Sequence, residues 1–478
     1  MERRLRLLFA TPYLPRRGVS AAREHWWSLL GRLARRHDIT LLAVADADEM
    51  GAEELAPPGL ESVRLLPRRP WRPDDPLALL PRTVAGGYAD PAIAAAIAAA
   101  TAARAYDIVQ YEFIEMAGLL PRPRCPTILT VHQVPFAGEG PLWRAEGRPV
   151  RRGAVLLHRY LRELDFDLRA VLRAHHVITM SAEDAARLRR FHPGVRISVS
   201  PLAIDTDFFA PRAPGPTHSD GVDRVEVADS ADVVFVGNFE HPPNVDAVTF
   251  LVREVVPQVG RPVRVRIIGH AIPPALAAFA REGIEVLGPV PDMRPHLAAA
   301  RVVVAPVRFG TGMRGKVLEA LAMARPVVTT PIGAEGLGAT SGAHLLVASG
   351  SVDFASAIRS VLDDPQRGAR LGREGRALVM ARFDGDAVAS AHEQIYEELL
   401  REPGPTPTWA PDRVATWGGN VARFGRWPAI ALGFSVLVWR GLRWHLRKWR
   451  RQGSTTSSAS VHGTAAASRE ISAGMSPP

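Results

Sequence analysis

The sequence predicts an α/β protein with two doubly wound parallel sheets. Two series of short β-branched runs alternate with helical patterns, the first over residues 1–209 and the second over 231–384. Between them, residues 210–230 are rich in proline and have no apolar period, which is typical of a linker between domains. At 478 residues, the chain is long enough for two domains with full hydrophobic cores.

The first series contains seven predicted strands. They lie at 5–10, 39–45, 63–66, 108–111, 127–131, 177–180 and 197–199. The spacing of Trp26, Leu29 and Leu33 predicts a helix after the first strand. The loop between that strand and that helix contains Gly18, a candidate ligand contact. Because the loop departs from G-x-G-x-x-G, a nicotinamide cofactor is not expected.

The second series contains six predicted strands. They lie at 233–236, 265–268, 284–287, 302–305, 327–330 and 345–347. Helical patterns occupy 244–259 and 273–281, and further helices run from 351 to 400. The last of these, at 385–402, is expected to be a closing helix that returns to the first domain.

A glycine loop in the second series is the strongest candidate site. Gly310, Gly312 and Gly315 lie between a buried strand and a helix, where backbone N–H groups and the positive end of the helix dipole bind anions. Arg314 and Lys316 add two positive charges at the same place. The pattern therefore predicts a phosphate site, most naturally for a diphosphate.

A nucleotide-binding P-loop is one interpretation of this stretch. The spacing Gly310-x4-Gly315-Lys316 satisfies that pattern up to its last position, where Ser or Thr ligates magnesium. This chain has Val317 there, which cannot ligate a metal. A P-loop ATPase remains as an alternative that would require magnesium.

The residues after the loop resemble a known signature. Glu319-Ala-Leu-Ala-Met-Ala-Arg-Pro-Val-Val is similar to E-A-x-A-x-G-x-P-V-V of GT-B glycosyltransferases, in particular the retaining family 4. The resemblance implies two Rossmann-like domains that face a cleft, with Glu319 holding the nucleotide ribose. The first glutamate of the family's pair falls at Thr311, which leaves the contact to the transferred sugar without a charge. The alternative is that Glu319 is a solvated helix residue.

The same resemblance implies further contacts to a sugar nucleotide. Gly237 and Asn238 end a strand where the backbone can meet the diphosphate. Many family members then supply an Arg and a Lys, which are missing here, so Arg314 and Lys316 are expected to take over that role. Val290 belongs to a segment that lines the base in the family, although a structural turn would have the same sequence.

His132 follows the strand 127–131 and resembles the strand-end histidine that lies against the donor sugar in this family. The alternative is an ordinary loop histidine. With Lys316 and Glu319, it completes the expected catalytic set.

The positive charge is concentrated in the C-terminal segment. Residues 403–478 hold ten basic and two acidic residues, a net charge of +8, whereas 1–402 hold 49 basic and 47 acidic residues, a net +2. Nucleic acid is therefore not an expected partner. The single cysteine, Cys125, excludes an internal disulfide and suits a cytoplasmic protein, and the N-terminus lacks the pattern of a signal peptide.

The basic segment 403–452 is rich in tryptophan, and Trp and Arg around an apolar face are typical of a helix at a membrane surface. We expect peripheral contact with anionic lipid through 409–451. The alternatives are a helix that packs on the first domain or a solvated basic face. Residues 453–478 are expected to be disordered.

The resemblance implies transfer of a sugar from a nucleoside diphosphate sugar to a hydroxyl of a glycolipid or polysaccharide, with retention and without a metal or cofactor. A GT-B sugar-nucleotide epimerase and a non-catalytic nucleotide-sugar binder are the alternatives. An epimerase would form product without any acceptor.

Overall fold

The fold is known from a computed structural model that describes residues 3–17, 20–68, 91–119, 124–134, 166–211 and 231–402. Gly18, most of the expected linker and the whole segment 403–478 lie outside these residues, and so do the expectations for them. Within the described ranges, the strands form two parallel sheets, which confirms the predicted fold class.

The first sheet contains seven parallel strands in the order β3-β2-β1-β4-β5-β6-β7. The strands are β1 (Arg6–Thr11), β2 (Asp38–Ala45), β3 (Ser62–Pro67), β4 (Ile108–Glu112), β5 (Thr127–Val131), β6 (His176–Thr179) and β7 (Ile197–Val199). All five residues of β4 and of β5 are buried, because helices cover both faces of a doubly wound sheet. The order reverses between β1 and β4, which places a crevice at their carboxyl ends.

The second sheet contains six parallel strands in the order β10-β9-β8-β11-β12-β13. The strands are β8 (Ala231–Asn238), β9 (Val265–His270), β10 (Ile284–Leu287), β11 (Ala300–Ala305), β12 (Val327–Thr329) and β13 (Leu346–Val347). Here the order reverses between β8 and β11, so a second crevice opens at their carboxyl ends.

Helices cover both sheets. Those with defined ends in the described ranges are α1 (Ala21–Leu33), α2 (Pro91–Ala103), α3 (Ala182–Phe191), α4 (Pro242–Phe250), α5 (Pro274–Ala277), α6 (Arg294–Ala298), α7 (Gly315–Ala322), α8 (Gly350–Asp363), α9 (Pro365–Arg382) and α10 (Gly385–Arg401). The expected helix 244–259 is only partly α-helical. Helix α4 continues through a π turn at Leu251–Val255 and a 3-10 turn at Val256–Gln258.

Helix α10 returns to the first sheet. Its apolar face contributes Ile395, Tyr396 and Leu399 to the core that also contains Trp26 and Leu30 of α1. Helix α10 therefore completes the core of the first sheet, although it follows the second sheet in the chain.

The turn between α7 and β12 has an unusual backbone. The N–H groups of Ala324 and Arg325 donate to the carbonyls of Leu321 and Ala320 at 2.9 and 3.0 Å, which closes the end of the helix. This geometry requires a left-handed residue, and Ala324 has φ 54° where the family signature has glycine. An L-residue in this conformation costs about 1–2 kcal/mol.

We expect Ala324→Gly to stabilise the protein. Relief of the left-handed strain outweighs the extra entropy of glycine in the unfolded chain, so the net gain in unfolding free energy should be up to about 1 kcal/mol. The matched control is Ala320→Gly in the interior of α7, which should lose about 1 kcal/mol. Urea denaturation measures both, and a destabilised Ala324→Gly protein would contradict the assignment of strain to this turn.

Candidate functional site

The glycine loop after β11 lies between the two sheets. Gly310 and Gly312 have φ of 105° and 84°, a backbone that residues with a β-carbon rarely adopt. A β-carbon at Gly310 would lie 3.2 Å from Cγ of Pro243, and one at Gly312 would lie 3.3 Å from the carbonyl oxygen of His132. The loop is therefore held between the start of α4 and the end of β5, as the sequence predicts for a site at a cleft.

Two helix N-termini meet beside this loop. A β-carbon at Gly315, the first residue of α7, would lie only 2.1 Å from Cβ of Ala21, the first residue of α1. Only glycine allows this approach. Because each N-terminus carries a partial positive charge and N–H groups without intrahelical partners, their contact concentrates positive potential at one point.

Lys316 lies at the same point. Its Nζ donates to Oδ1 of Asn244 at 2.7 Å and lies 4.4 Å from the centre of the Phe235 ring. Burial and, to a lesser extent, the charge of Arg314 lower the pKa of Lys316 to about 7, although the charge of Glu319 opposes the shift. The lysine is therefore held in place without a full counterion.

Asn244 connects Lys316 to the end of β8. Its Nδ2 donates to the carbonyl oxygen of Asn238 at 2.6 Å, and a β-carbon at Gly237 would lie 3.0 Å from its Cγ. The structure thus brings the predicted residues Gly237, Asn238 and Lys316 together through a residue that the sequence analysis did not single out. The available signal was its place in the first turn of a helix that follows a strand end.

Arg314 precedes α7 and is largely buried. Its Nη1 donates to the carbonyl oxygen of Thr311 at 2.8 Å. Its Nε and Nη2 are buried and have no hydrogen-bond partner within the described ranges. Burial lowers the pKa of the guanidinium, and the charges of Glu335 and Asp184 act in the opposite direction. Buried N–H groups of this kind are costly unless a ligand accepts their hydrogen bonds.

Glu319 lies one turn along α7 and is only 4% exposed. Burial and, to a lesser extent, the nearby charge of Glu24 raise the pKa of its carboxyl to about 7, although the charge of Lys316 opposes this shift. Since Glu319 is buried, the alternative of a solvated helix residue does not hold. Glu24 belongs to α1, so carboxyl groups from both sheets' helices face this point.

His132 lies at the end of β5 with its ring packed flat on Phe113, at 3.8 Å between centroids and 1° between planes. Its Nε2 lies 3.4 Å from Oε2 of Glu112. Burial lowers the pKa of His132 to about 3, so the imidazole is neutral at physiological pH. It is a packed and hydrogen-bonded residue, and its neighbour Gln133 contacts the glycine loop at Gly312.

The other predicted positions have contacts of their own. The carbonyl oxygen of Thr311 accepts a hydrogen bond from Arg314, and Val290 packs against the core near the end of the edge strand β10. Val317, the position of a magnesium ligand in a P-loop, is fully buried. Arg187 of α3 pairs with Glu335, whose charge also acts on Arg314, and this ion pair links the two halves of the protein.

Within the described ranges, no group of three or more His, Cys, Asp or Glu side chains is arranged to hold a metal ion. Among the same residues, no helix combines the length and apolar character needed to cross a membrane.

Comparisons with known proteins identify glycosyltransferase domains in both halves of the chain. Residues 22–208 match "Glycosyltransferase Family 4" and residues 230–364 match "Glycosyl transferases group 1", together about two thirds of the chain. No match is found among curated proteins.

Solved structures share the fold. Sucrose-phosphate synthase from Thermosynechococcus elongatus superposes with a TM-score of 0.59 at 17% identity, covering 83% of this chain and 100% of that chain. HepE of Anabaena in complex with UDP-glucose gives 0.57 at 16% identity, with coverage of 83% and 100%. Unliganded OtsA gives 0.57 at 12% identity, with coverage of 82% and 99%.

We expect Glu319→Gln to stabilise the unliganded protein at alkaline pH. Because the pKa of Glu319 is raised to about 7 in the folded state, the folded chain binds more protons than the unfolded chain between its ordinary pKa and 7. Stability is therefore lost as pH rises through this window, and the penalty is complete above it. Glutamine has the same shape and does not titrate, so its advantage in melting temperature should grow from pH 5 to pH 8.

Thermal unfolding at several pH values measures this difference, and Glu398→Gln on the exposed face of α10 is the control. If the difference in melting temperature between Glu319→Gln and the wild type is the same at every pH in that range, ionisation of Glu319 does not destabilise the folded protein.

Proposed function

We propose that this chain, which belongs to the GT-B glycosyltransferases of group 1 and family 4, transfers a sugar from a nucleoside diphosphate sugar to an acceptor hydroxyl with retained anomeric configuration. The observation that carries the proposal is the convergence of positive groups on one buried point. The unpaired N–H groups of Arg314, the ammonium of Lys316 and the N-termini of α1 and α7 all lie there.

A diphosphate satisfies each of these groups. Its oxygens accept the hydrogen bonds of Arg314 Nε and Nη2, and they replace Asn244 as the partner of Lys316. The developing charge on the leaving diphosphate is then neutralised by groups already in position, which is electrostatic stabilisation of the transition state. For this reason, we propose that the reaction needs no divalent metal and no cofactor.

We propose the remaining contacts from the resemblance to the family. Glu319 holds the ribose hydroxyls in its ionised form, the segment around Val290 lines the base, and the hydroxyl of Thr311 contacts the transferred sugar. His132 lies against that sugar from the first sheet. HepE of Anabaena was solved with UDP-glucose, so uridine diphosphate sugars are the first to test.

The acceptor occupies the crevice of the first sheet. We propose a glycolipid or growing polysaccharide at the cytoplasmic face of the membrane, approached through the basic segment 409–451. This segment lies outside the described residues, so the proposal is supported by its composition. It combines tryptophan with a net positive charge, as helices at membrane surfaces do.

We expect Lys316→Ala and Arg314→Ala each to weaken sugar-nucleotide binding by about 10- to 100-fold, the usual cost of a charge-assisted hydrogen bond. Calorimetric titration and ligand-induced melting shifts across UDP-, GDP-, ADP- and dTDP-sugars, all with EDTA present, measure this effect. Arg370→Ala, on the exposed face of α9, is the matched control and should bind normally.

The outcomes separate the alternatives. Binding of one sugar nucleotide in EDTA that is lost in the two variants supports the proposal, and the anomeric signal of the product in NMR reports retention. Formation of an isomeric sugar nucleotide without acceptor would indicate an epimerase. A response to ATP with magnesium alone would contradict the proposal.

We also expect sugar-nucleotide affinity to be greatest near pH 7. Binding requires a protonated Lys316 and an ionised Glu319, and the pKa of each is about 7 in the free protein. Affinity should fall roughly tenfold between pH 7 and 8.5 as Lys316 loses its proton. It should also fall toward pH 5.5 as Glu319 becomes protonated. In Lys316→Arg the side chain keeps its charge, so affinity should no longer fall between pH 7 and 8.5, whereas the decrease toward pH 5.5 should remain. If affinity in this variant still falls at alkaline pH as in the wild type, Lys316 is not the source of that decrease.

A further inference from the structure

A buried polar chain runs from α10 to His132 through the first sheet. The hydroxyl of Tyr396 donates to Oε1 of Gln110 at 2.8 Å, and Nε2 of Gln110 donates to Oε1 of Glu112 at 2.8 Å. Thr130, opposite Glu112 in the pairing of β4 and β5, also donates to that oxygen at 3.1 Å. The other carboxyl oxygen of Glu112 lies 3.4 Å from Nε2 of His132.

The direction of the hydrogen bonds locates a proton. Because Tyr396 donates to the amide oxygen of Gln110, the amide nitrogen must face Glu112. Oε1 of Glu112 therefore accepts two hydrogen bonds and is not the protonated oxygen. A proton on Glu112 lies on Oε2, directed at His132.

The backbone beside Glu112 and His132 is strained. Phe113, the residue after Glu112, has φ 70°, a left-handed conformation that is costly for an aromatic residue. Its N–H donates to the carbonyl of Thr130 at 3.0 Å, and its ring covers the face of His132. Strain of this kind persists where the surroundings hold a residue in a required position.

We propose that Glu112 is a positioning residue that holds His132 through a carboxyl proton on Oε2, donated to Nε2 of the imidazole. His132 is thereby kept neutral, protonated on Nδ1 and fixed against Phe113, while Gln110 and Tyr396 tie this arrangement to α10. The inference rests on the proposed function insofar as His132 faces the transferred sugar.

Burial agrees with this assignment. Glu112 is fully buried, which raises the pKa of its carboxyl well above the ordinary value, and burial lowers the pKa of His132 to about 3. The carboxyl therefore keeps its proton and the imidazole does not gain one. Tyr396 is also buried with a raised pKa, so its hydroxyl remains a donor.

The test compares two substitutions at one position. In Glu112→Gln, the amide oxygen accepts from Gln110 and Thr130, and the amide nitrogen donates to His132, so the arrangement is retained. Glu112→Ala removes it. We expect Glu112→Gln to keep kcat within about threefold of wild type and Glu112→Ala to lower kcat about 10- to 100-fold, since misplaced catalytic groups cost this much. Sugar-nucleotide affinity should change little in either variant.

Because the acceptor is unidentified, kcat is measured as release of nucleoside diphosphate from the sugar nucleotide that the wild type binds. Tyr396→Phe removes only the hydroxyl at the far end of the chain and should lower kcat with unchanged affinity. The control is Glu393→Gln, also on α10, where the carboxylate lies 3.0 Å from Nε2 of His37, the residue before β2 and therefore at the amino ends of the strands. It should alter melting temperature without altering kcat.

A spectroscopic readout does not depend on turnover. Two-bond proton–nitrogen NMR of the histidine-labelled protein, with His132→Gln for assignment, should show one neutral tautomer protonated on Nδ1 in the wild type and in Glu112→Gln. A mixture of tautomers is expected in Glu112→Ala. An Nε2-protonated or cationic His132 in the wild type, or equal loss of kcat in folded Glu112→Gln and Glu112→Ala, would overturn the proposal. If no sugar nucleotide binds the wild type, the proposed function fails while the NMR result still decides the role of Glu112.

Discussion

The contact between Gly315 and Ala21 is the constraint on which the site depends. It brings the N-termini of α7 and α1 into van der Waals contact, so that two positive helix ends from different sheets share one location. Arg314 and Lys316 flank that contact because they are neighbours of Gly315 in sequence. The unliganded protein therefore holds positive groups where a protein interior ordinarily avoids them, and in the proposed function a diphosphate supplies the missing negative charge.

The same burial sets the protonation of the charged residues. Lys316 and Glu319 each have a pKa near 7, shifted in opposite directions by loss of water. A buried charge of this kind lowers the stability of the unliganded protein until a ligand provides a partner for it. The site is therefore less stable than the hydrophobic core, and it favours an anion as its ligand. The second sheet therefore contributes buried ionisable side chains to the site.

The first sheet contributes a different kind of group. His132 is neutral, flat against Phe113 and connected through Glu112 to buried donors, so its position is determined by packing and hydrogen bonds. Helix α10 takes part because Tyr396 enters the core of the first sheet. The second half of the cleft thus contributes Arg314, Lys316 and Glu319, and the first half contributes the neutral His132 beside the N-terminus of α1.

The sequence by itself determined the strands, the glycine loop and the predicted basic pair, because β-branched runs, glycines and charges act over a few neighbouring residues. It did not reveal Asn244 or Glu112 as parts of the site. Asn244 meets Lys316 only because β8 and β11 are adjacent in the sheet, and Glu112 meets His132 only because β4 and β5 are paired. Such contacts between distant residues follow from strand order, so only the tertiary structure decided which buried groups share a partner and how their pKa values shift.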